Sequence, residues 1–195
     1  NKAQLRGLGN TLRVVVENTQ GDIFDPEYLD TLRQVNDELF LTPGVDRAWV
    51  KSIWMPVVRY NEVTEEGFAG GPVMPDTYDG SKQAVEQLRQ NIMKAGLVGS
   101  LVANDFKSAM IIVPLLDVND RQDFDKMVLA YREIHSTVLD RFGGSICGEH
   151  GDGRIRAEYV RKMFGEELYG LFVDVKRAFD PGNVLNPGIK ISEAS

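Results

Sequence analysis

Cysteine is almost absent from the chain. Cys147 is the single one among 195 residues, so no disulfide can close within it. That fits a reducing compartment. Histidine is nearly as scarce, at two residues. No apolar run approaches the roughly 18–20 residues of a membrane span; the longest is Ala109–Leu116, interrupted by Pro114. Positive charge is in deficit: 22 Lys and Arg face 29 Asp and Glu, for a formal net charge of −7. An acidic chain with no basic stripe argues against a nucleic-acid partner. It argues equally against a polybasic attachment to a membrane surface. No signal peptide is visible, and the first residue is Asn1 rather than Met, so the chain reads as a piece of something larger.

What is present is the make-up of a globular protein, with 43 % hydrophobic and 26 % charged residues. Thr11–Asn18 has a β-branched centre and predicts a strand. Asp25-Pro26 reads as a helix cap followed by a first-turn proline, and Tyr28, Leu29, Leu32, Val35, Leu39 and Phe40 continue at helical spacing. Val45–Val63 predicts extended chain, with Pro56 forcing an edge or a bulge. Thr64–Asp79 reads as a long loop. Ser81 can cap a helix carrying Val85, Leu88 and Ile92 that stops near Gly96. Two strand-like runs follow, Val98–Asp105 and Ala109–Val118. Asn119 or Asp120 can cap a helix that ends at Gly143-Gly144, and a last helix runs from about Ala157 to Phe179, interrupted near Gly165. No Gly-x-Gly-x-x-Gly follows a strand, which sets aside a dinucleotide fold. The order predicts an α+β fold, in its simplest form a ferredoxin-like sheet-and-helix sandwich followed by a helical C-terminal segment.

The stretch richest in chemistry is Gly143-Gly144-Ser145-Ile146-Cys147-Gly148-Glu149-His150-Gly151-Asp152-Gly153-Arg154. Glycine allows close backbone approach and positive φ. Glutamate beside histidine offers a metal-ligand oxygen, a ring nitrogen and a general base. On residue types alone, a functional site and a glycine-rich turn with solvated charges stand about level.

This motif, a helix containing Phe164-Gly165-Glu166-Glu167-Leu168-Tyr169, and then K-R-A-F-D-P-G-N-V-L-N-P-G occur in that order. Together they resemble the C-terminal segment of the FAD-linked 2-hydroxy-acid oxidases and dehydrogenases, over about residues 114–191. D-lactate dehydrogenases, glycolate oxidase subunits and 2-hydroxyglutarate dehydrogenases belong to that family. The resemblance implies a complete enzyme that uses FAD and takes a small 2-hydroxy acid. In it Glu149 would bind a divalent metal such as zinc, and His150 would take the hydroxyl proton. Asn186, with Gly151 and Gly153, would stand at the cofactor. Metal-dependent members also carry an upstream motif of the form H-x-G-D-G-N-x-H, whereas Asn104–Met110 contains no histidine. The FAD-binding domain is missing as well. The segment on its own is therefore expected to be inactive and to hold no FAD tightly.

The preceding stretch reads differently. F-D-P-E-Y-L-D-T-L, T-P-G-V-D-R-A-W-V-K-S-I-W, E-V-T-E-E-G-F-A-G-G-P-V-M-P and N-I-M-K-A-G-L-V-G-S-L-V-A-N-D-F resemble an extracytoplasmic porter domain of the resistance–nodulation–division exporters. The division implied is a porter-like α+β domain over 1–116 and an oxidase C-terminal segment over 117–195. A natural fusion, an engineered chimera and a sequence joined in error all remain open. The oxidase reading implies a cytoplasmic protein or one peripheral to the inner membrane; the porter reading implies an extracytoplasmic one.

Other residues take plain readings. His135 lies on the apolar stripe of its helix and is expected to be packed rather than a ligand. Cys147 is expected to be a small packed residue, and Trp49 and Trp54 to lie on a sheet face or an interface. Glu62, Glu65 and Glu66 read as a solvated acidic cluster, and Gly67–Gly71 lacks the Lys-Ser/Thr of a phosphate loop.

Overall fold

Alternation in Ser108–Pro114 (β4) sets the first unit's architecture. Ala109, Ile111 and Val113 are buried, and the residues between them are half-buried. The computed structural model describes residues 11–65, 67–116, 121–148 and 151–192. It divides the chain into two compact units that meet in sequence between Tyr131 and Arg132.

In the first unit β4 pairs antiparallel with Thr11–Glu17 (β1), with Leu12 opposite Val113, Val14 opposite Ile111 and Val16 opposite Ala109. These residues share one face, as the two-residue period requires. Along β4 and just past its end, single bridges bring in Ile112 with Lys51, Ala109 with Val102 and Leu115 with Val45. Helix α1 (Pro26–Leu41) packs against β4, burying Tyr28, Leu29, Leu32, Val35 and Leu39. Its start is fixed as expected, by Asp25 accepting from the Glu27 N–H with Pro26 in the first turn.

Arg59–Thr64 (β2) and Gly67–Pro72 (β3) form a separate antiparallel hairpin, and helix α2 (Lys82–Lys94) packs against β2. Ser81 caps α2 through the Ala84 N–H. Lys94 reaches Glu62 at 2.7 Å, so that glutamate is paired; Glu66 lies outside the described residues. The α+β class holds, but the sheet is divided into two small ones, each facing its own helix. Two reasons are visible. The segment expected to be extended turns twice, with Met55 N–H donating to the Ser52 carbonyl and Val58 N–H to the Met55 carbonyl. Pro56 takes the second position of the latter turn, which its fixed φ favours. The segment read as a loop instead supplies β3. Glycine there admits the partner strand, since a Cβ on Gly70 would stand 2.6 Å from the Tyr60 carbonyl oxygen. Val98–Asp105 contributes the Val102 bridge between turns rather than a full strand. Trp49 is exposed, and Trp54 is half-buried with Nε1–H donating to the Leu29 carbonyl.

Helix α3 (Arg121–Ser136) runs past the turn after α1. Gly44, at φ 89°, would bring a Cβ to 2.8 Å from that of Ala130. The candidate caps Asn119 and Asp120 lie outside the described residues. A wider turn, Thr137–Arg141, extends α3 to the Gly143-Gly144 break. Helix α4 (Ala157–Phe179) is interrupted at Gly165, as the sequence suggests, with φ 76° and ψ 169°. Among the described residues, no helix is long and apolar enough to cross a membrane.

The hydroxyl of Tyr28 ties α1 to both strands of the sheet. It donates to the Val16 carbonyl at 2.7 Å and accepts from the Ala109 N–H at 3.0 Å. Burial raises its pKa well above the usual phenol value. Tyr28→Phe leaves a buried N–H and a carbonyl without this partner, at a cost of about 1–3 kcal/mol. Urea unfolding of the two proteins measures this; equal midpoints would show that the hydroxyl bridge contributes nothing.

Candidate functional site

The chemistry-bearing loop in the second unit is closed at its neck by an arginine. Arg156 donates from Nη1 to the Ile146 carbonyl at 3.0 Å, and its N–H donates to the Asp152 carbonyl at 3.2 Å. Inside this neck Gly151 and Gly153 stand at φ 71° and 58°, the left-handed region that glycine enters without strain. Among the described residues, nothing beyond the chain neighbours lies within 4 Å of a Cβ placed on either one. Asp152, between them, is turned inward and only 5 % exposed. Its Oδ2 receives Lys190 Nζ at 3.2 Å. Its Oδ1 is buried with no hydrogen-bond partner among the described residues.

The tail after α4 is shaped by a second inward carboxylate. Asp180 accepts from the Val184 and Leu185 N–H groups at 2.9 and 2.8 Å and pairs with Lys176 one helical turn back. Lys176 and these amides hold its pKa down at about 2. A turn over Asp180-Pro181-Gly182-Asn183 and another over Asn186-Pro187-Gly188-Ile189 follow, each closed by a backbone hydrogen bond. Asn186, at φ 50°, and Gly188, at φ 71°, are left-handed, and Asn186 is exposed.

The two motifs meet. Lys190 N–H donates to the Gly153 carbonyl at 3.2 Å, and a Cβ on Gly188 would lie 3.9 Å from Arg154 Nη1. Ser192 N–H donates to the Tyr169 hydroxyl, which donates to the Ser192 carbonyl, both at 3.1 Å. Gly151, Gly153 and Asn186 thus lie on two touching segments of one unit. Glu149 and His150 lie outside the described residues. Among the described residues no three His, Cys, Asp or Glu side chains gather as a metal site. Cys147 is half-buried. Sequence reasoning missed Asp152, Lys190 and Asp180, although an aspartate set between two glycines, and another opening Asp-Pro-Gly, were there to be noticed.

Together these features bring glycine backbone, an exposed asparagine on the adjoining turn and a buried carboxylate into one part of the second unit. Two clefts, of about 280 and 250 Å³, lie in the first unit among other residues.

Comparison with known proteins identifies the family. The family described as FAD linked oxidases, C-terminal domain, matches residues 77–189, and the chain belongs to it. D-2-hydroxyglutarate dehydrogenase of Escherichia coli (strain K12) is 35 % identical over 107 residues, 53 % of this chain and 10 % of that protein. D-2-hydroxyglutarate dehydrogenase of Pantoea ananatis is 52 % identical over 75 residues, 38 % of this chain and 7 % of that protein. Glycolate oxidase subunit GlcD of Escherichia coli (strain K12) is 33 % identical over 134 residues, 63 % of this chain and 26 % of that protein. The chain therefore spans about a quarter or less of the length of these relatives. No solved structure matches it. The family match begins at residue 77, inside the stretch likened above to an exporter porter domain, and that likeness finds no support among these relatives.

His135 is packed, as its place on the apolar stripe predicts. It is 4 % exposed, with its ring edge-on to Tyr159 at 5.0 Å. Burial, and then the Arg156 charge, lower its pKa to about 4. An unfolded histidine titrates near 6.5, so between these values the unfolded chain binds the additional proton. The stability this contributes is complete above about pH 6.5 and is lost as pH falls towards 4. Urea midpoints should fall over that interval in the wild type and fall less steeply in His135→Leu. Parallel profiles would contradict the assignment.

Proposed function

We propose that the chain is the C-terminal part of an FAD-dependent dehydrogenase or oxidase acting on a small 2-hydroxy acid, of the D-2-hydroxyglutarate, glycolate or D-lactate type. The observation that carries this reading is the packing of the Asp152–Gly153 loop against the Asn186–Lys190 turn. Two separated family motifs thereby share one face of one unit. Bound flavin would supply the hydride acceptor. Of this chain's residues, His150 would hold the hydroxyl proton of the substrate as general base, and Glu149 would be one ligand of a divalent metal such as zinc. Asn186 and the backbone of Gly151 and Gly153 would line the flavin side. The region before Pro114 contains no histidine, so this chain supplies at most part of a metal's ligand set, and the FAD-binding part of the enzyme would be its partner.

Two outcomes follow from that division of labour. The purified chain emerges from gel filtration without stoichiometric flavin, because it offers one wall only; a yellow protein would contradict this. In a complete flavoenzyme carrying this segment, His150→Ala lowers kcat by about 10²–10⁴-fold, the usual loss for a general base, with little change in KM. Glu149→Ala instead weakens metal binding and raises KM where the upstream histidines are present. Steady-state turnover of D-lactate, glycolate and D-2-hydroxyglutarate with a flavin-reoxidising dye decides. Unchanged kcat in the His150→Ala enzyme, with flavin bound, would reduce the glycine-rich loop to a turn.

A further inference from the structure

We infer that Asp152 and Lys190 form a positioning clamp that holds the Asn186 turn against the glycine-rich loop, so that the two motifs work as one site. The functional consequence rests on the oxidoreductase reading above, whereas the clamp itself can be tested without flavin.

A carboxylate whose side chain is 3 % exposed is costly to bury unless it is met by a donor. Among the described residues the side-chain donor that meets Asp152 is Lys190, 38 positions away. Lys190 is committed to this place by more than charge. Its backbone takes φ 64°, a conformation a non-glycine residue adopts only where surroundings impose it. Its N–H is spent on the Gly153 carbonyl. Its Nζ lies 5.7 and 5.2 Å from the Phe164 and Phe172 ring centroids, within cation–π range. Those two rings meet edge to face at 5.2 Å, on either side of the Gly165 break in α4. The bonds of Asp180 reach only as far as Leu185, and Ser192 is held by Tyr169. Between them, Lys190 ties the tail to the loop through its side chain and its N–H.

The bland alternative is an incidental ion pair, since the Lys190 side chain is 49 % exposed and surface pairs contribute little. The two readings differ in whether cutting the pair loosens one segment or both. Hydrogen exchange of the full chain, followed by mass spectrometry, separates them for the wild type, Lys190→Met, Lys190→Arg and Asp152→Asn. With a clamp, Lys190→Met and Asp152→Asn each speed exchange in both the 143–156 and the 180–192 peptides. The change expected is roughly tenfold or more, the scale of one lost charge-assisted bond, with β1 and β4 unchanged. Lys190→Arg keeps wild-type rates, because guanidinium retains both the donor and the ring contact. Faster exchange confined to 180–192, or Lys190→Arg behaving like Lys190→Met, would overturn the clamp. Should Lys190→Met unfold the whole second unit, Asp152→Asn decides: paired local loosening supports the clamp, and wild-type rates overturn it. Paired loosening in a chain whose parent enzyme proves to lack flavin chemistry would refute the functional reading and leave the clamp standing.

Discussion

A carboxylate taken out of water has to be met by donors, and the second unit is organised around two that are. Asp180 gathers two amides and Lys176, which turns the chain at the end of α4 and sets the direction of the tail. Asp152 gathers Lys190, which brings that tail to the glycine-rich loop. Each is a local answer to the cost of burying charge. Together they place residues from two distant motifs side by side. The glycines on either side of Asp152 are what allow it to turn inward, since Gly151 and Gly153 both adopt backbone angles that side chains disfavour.

The first unit depends on a different constraint, the need of β4 to pair along its length. β1 supplies a full partner, and Val45, Lys51 and Val102 supply single bridges. Tyr28 extends the same principle through a side chain, using its hydroxyl where the helix meets the strands. The family match begins at residue 77 and therefore includes α2 and β4, so the strand at the centre of the first unit is inherited with the second unit's motifs.

Much of this was legible in the sequence where a residue acts locally. Asp25-Pro26 and Ser81 announce helix starts through their own side chains, and Gly165 announces a break because its neighbours cannot supply its φ. The α+β class followed from the order of apolar periods. What stayed hidden depended on distant partners. The glycine-rich Gly67–Pro72 looks like a loop until the close approach of Tyr60 explains why glycine forms a strand there. Val98–Asp105 has strand-like residues, but turns at Gly99 and Phe106 leave room for little more than one bridge. The motif drew attention to Glu149 and His150, which fall outside the described residues. Asp152 and Lys190 went unnoticed because neither means anything without the other, and 38 positions separate them. His135 was legible for the opposite reason, since helical spacing alone put it among apolar neighbours.

The glycine-rich loop and the C-terminal turn form one surface. Nuclear Overhauser contacts in the isotope-labelled chain report on it directly. Cross-peaks should join the Gly153 α-protons to the Lys190 amide, whose nitrogen stands 3.2 Å from the Gly153 carbonyl oxygen, and the Lys190 ε-protons to the Phe164 and Phe172 rings. Observation of both sets would establish the shared surface. A tail showing contacts only within residues 180–192, in a chain whose α4 is otherwise folded, would contradict it.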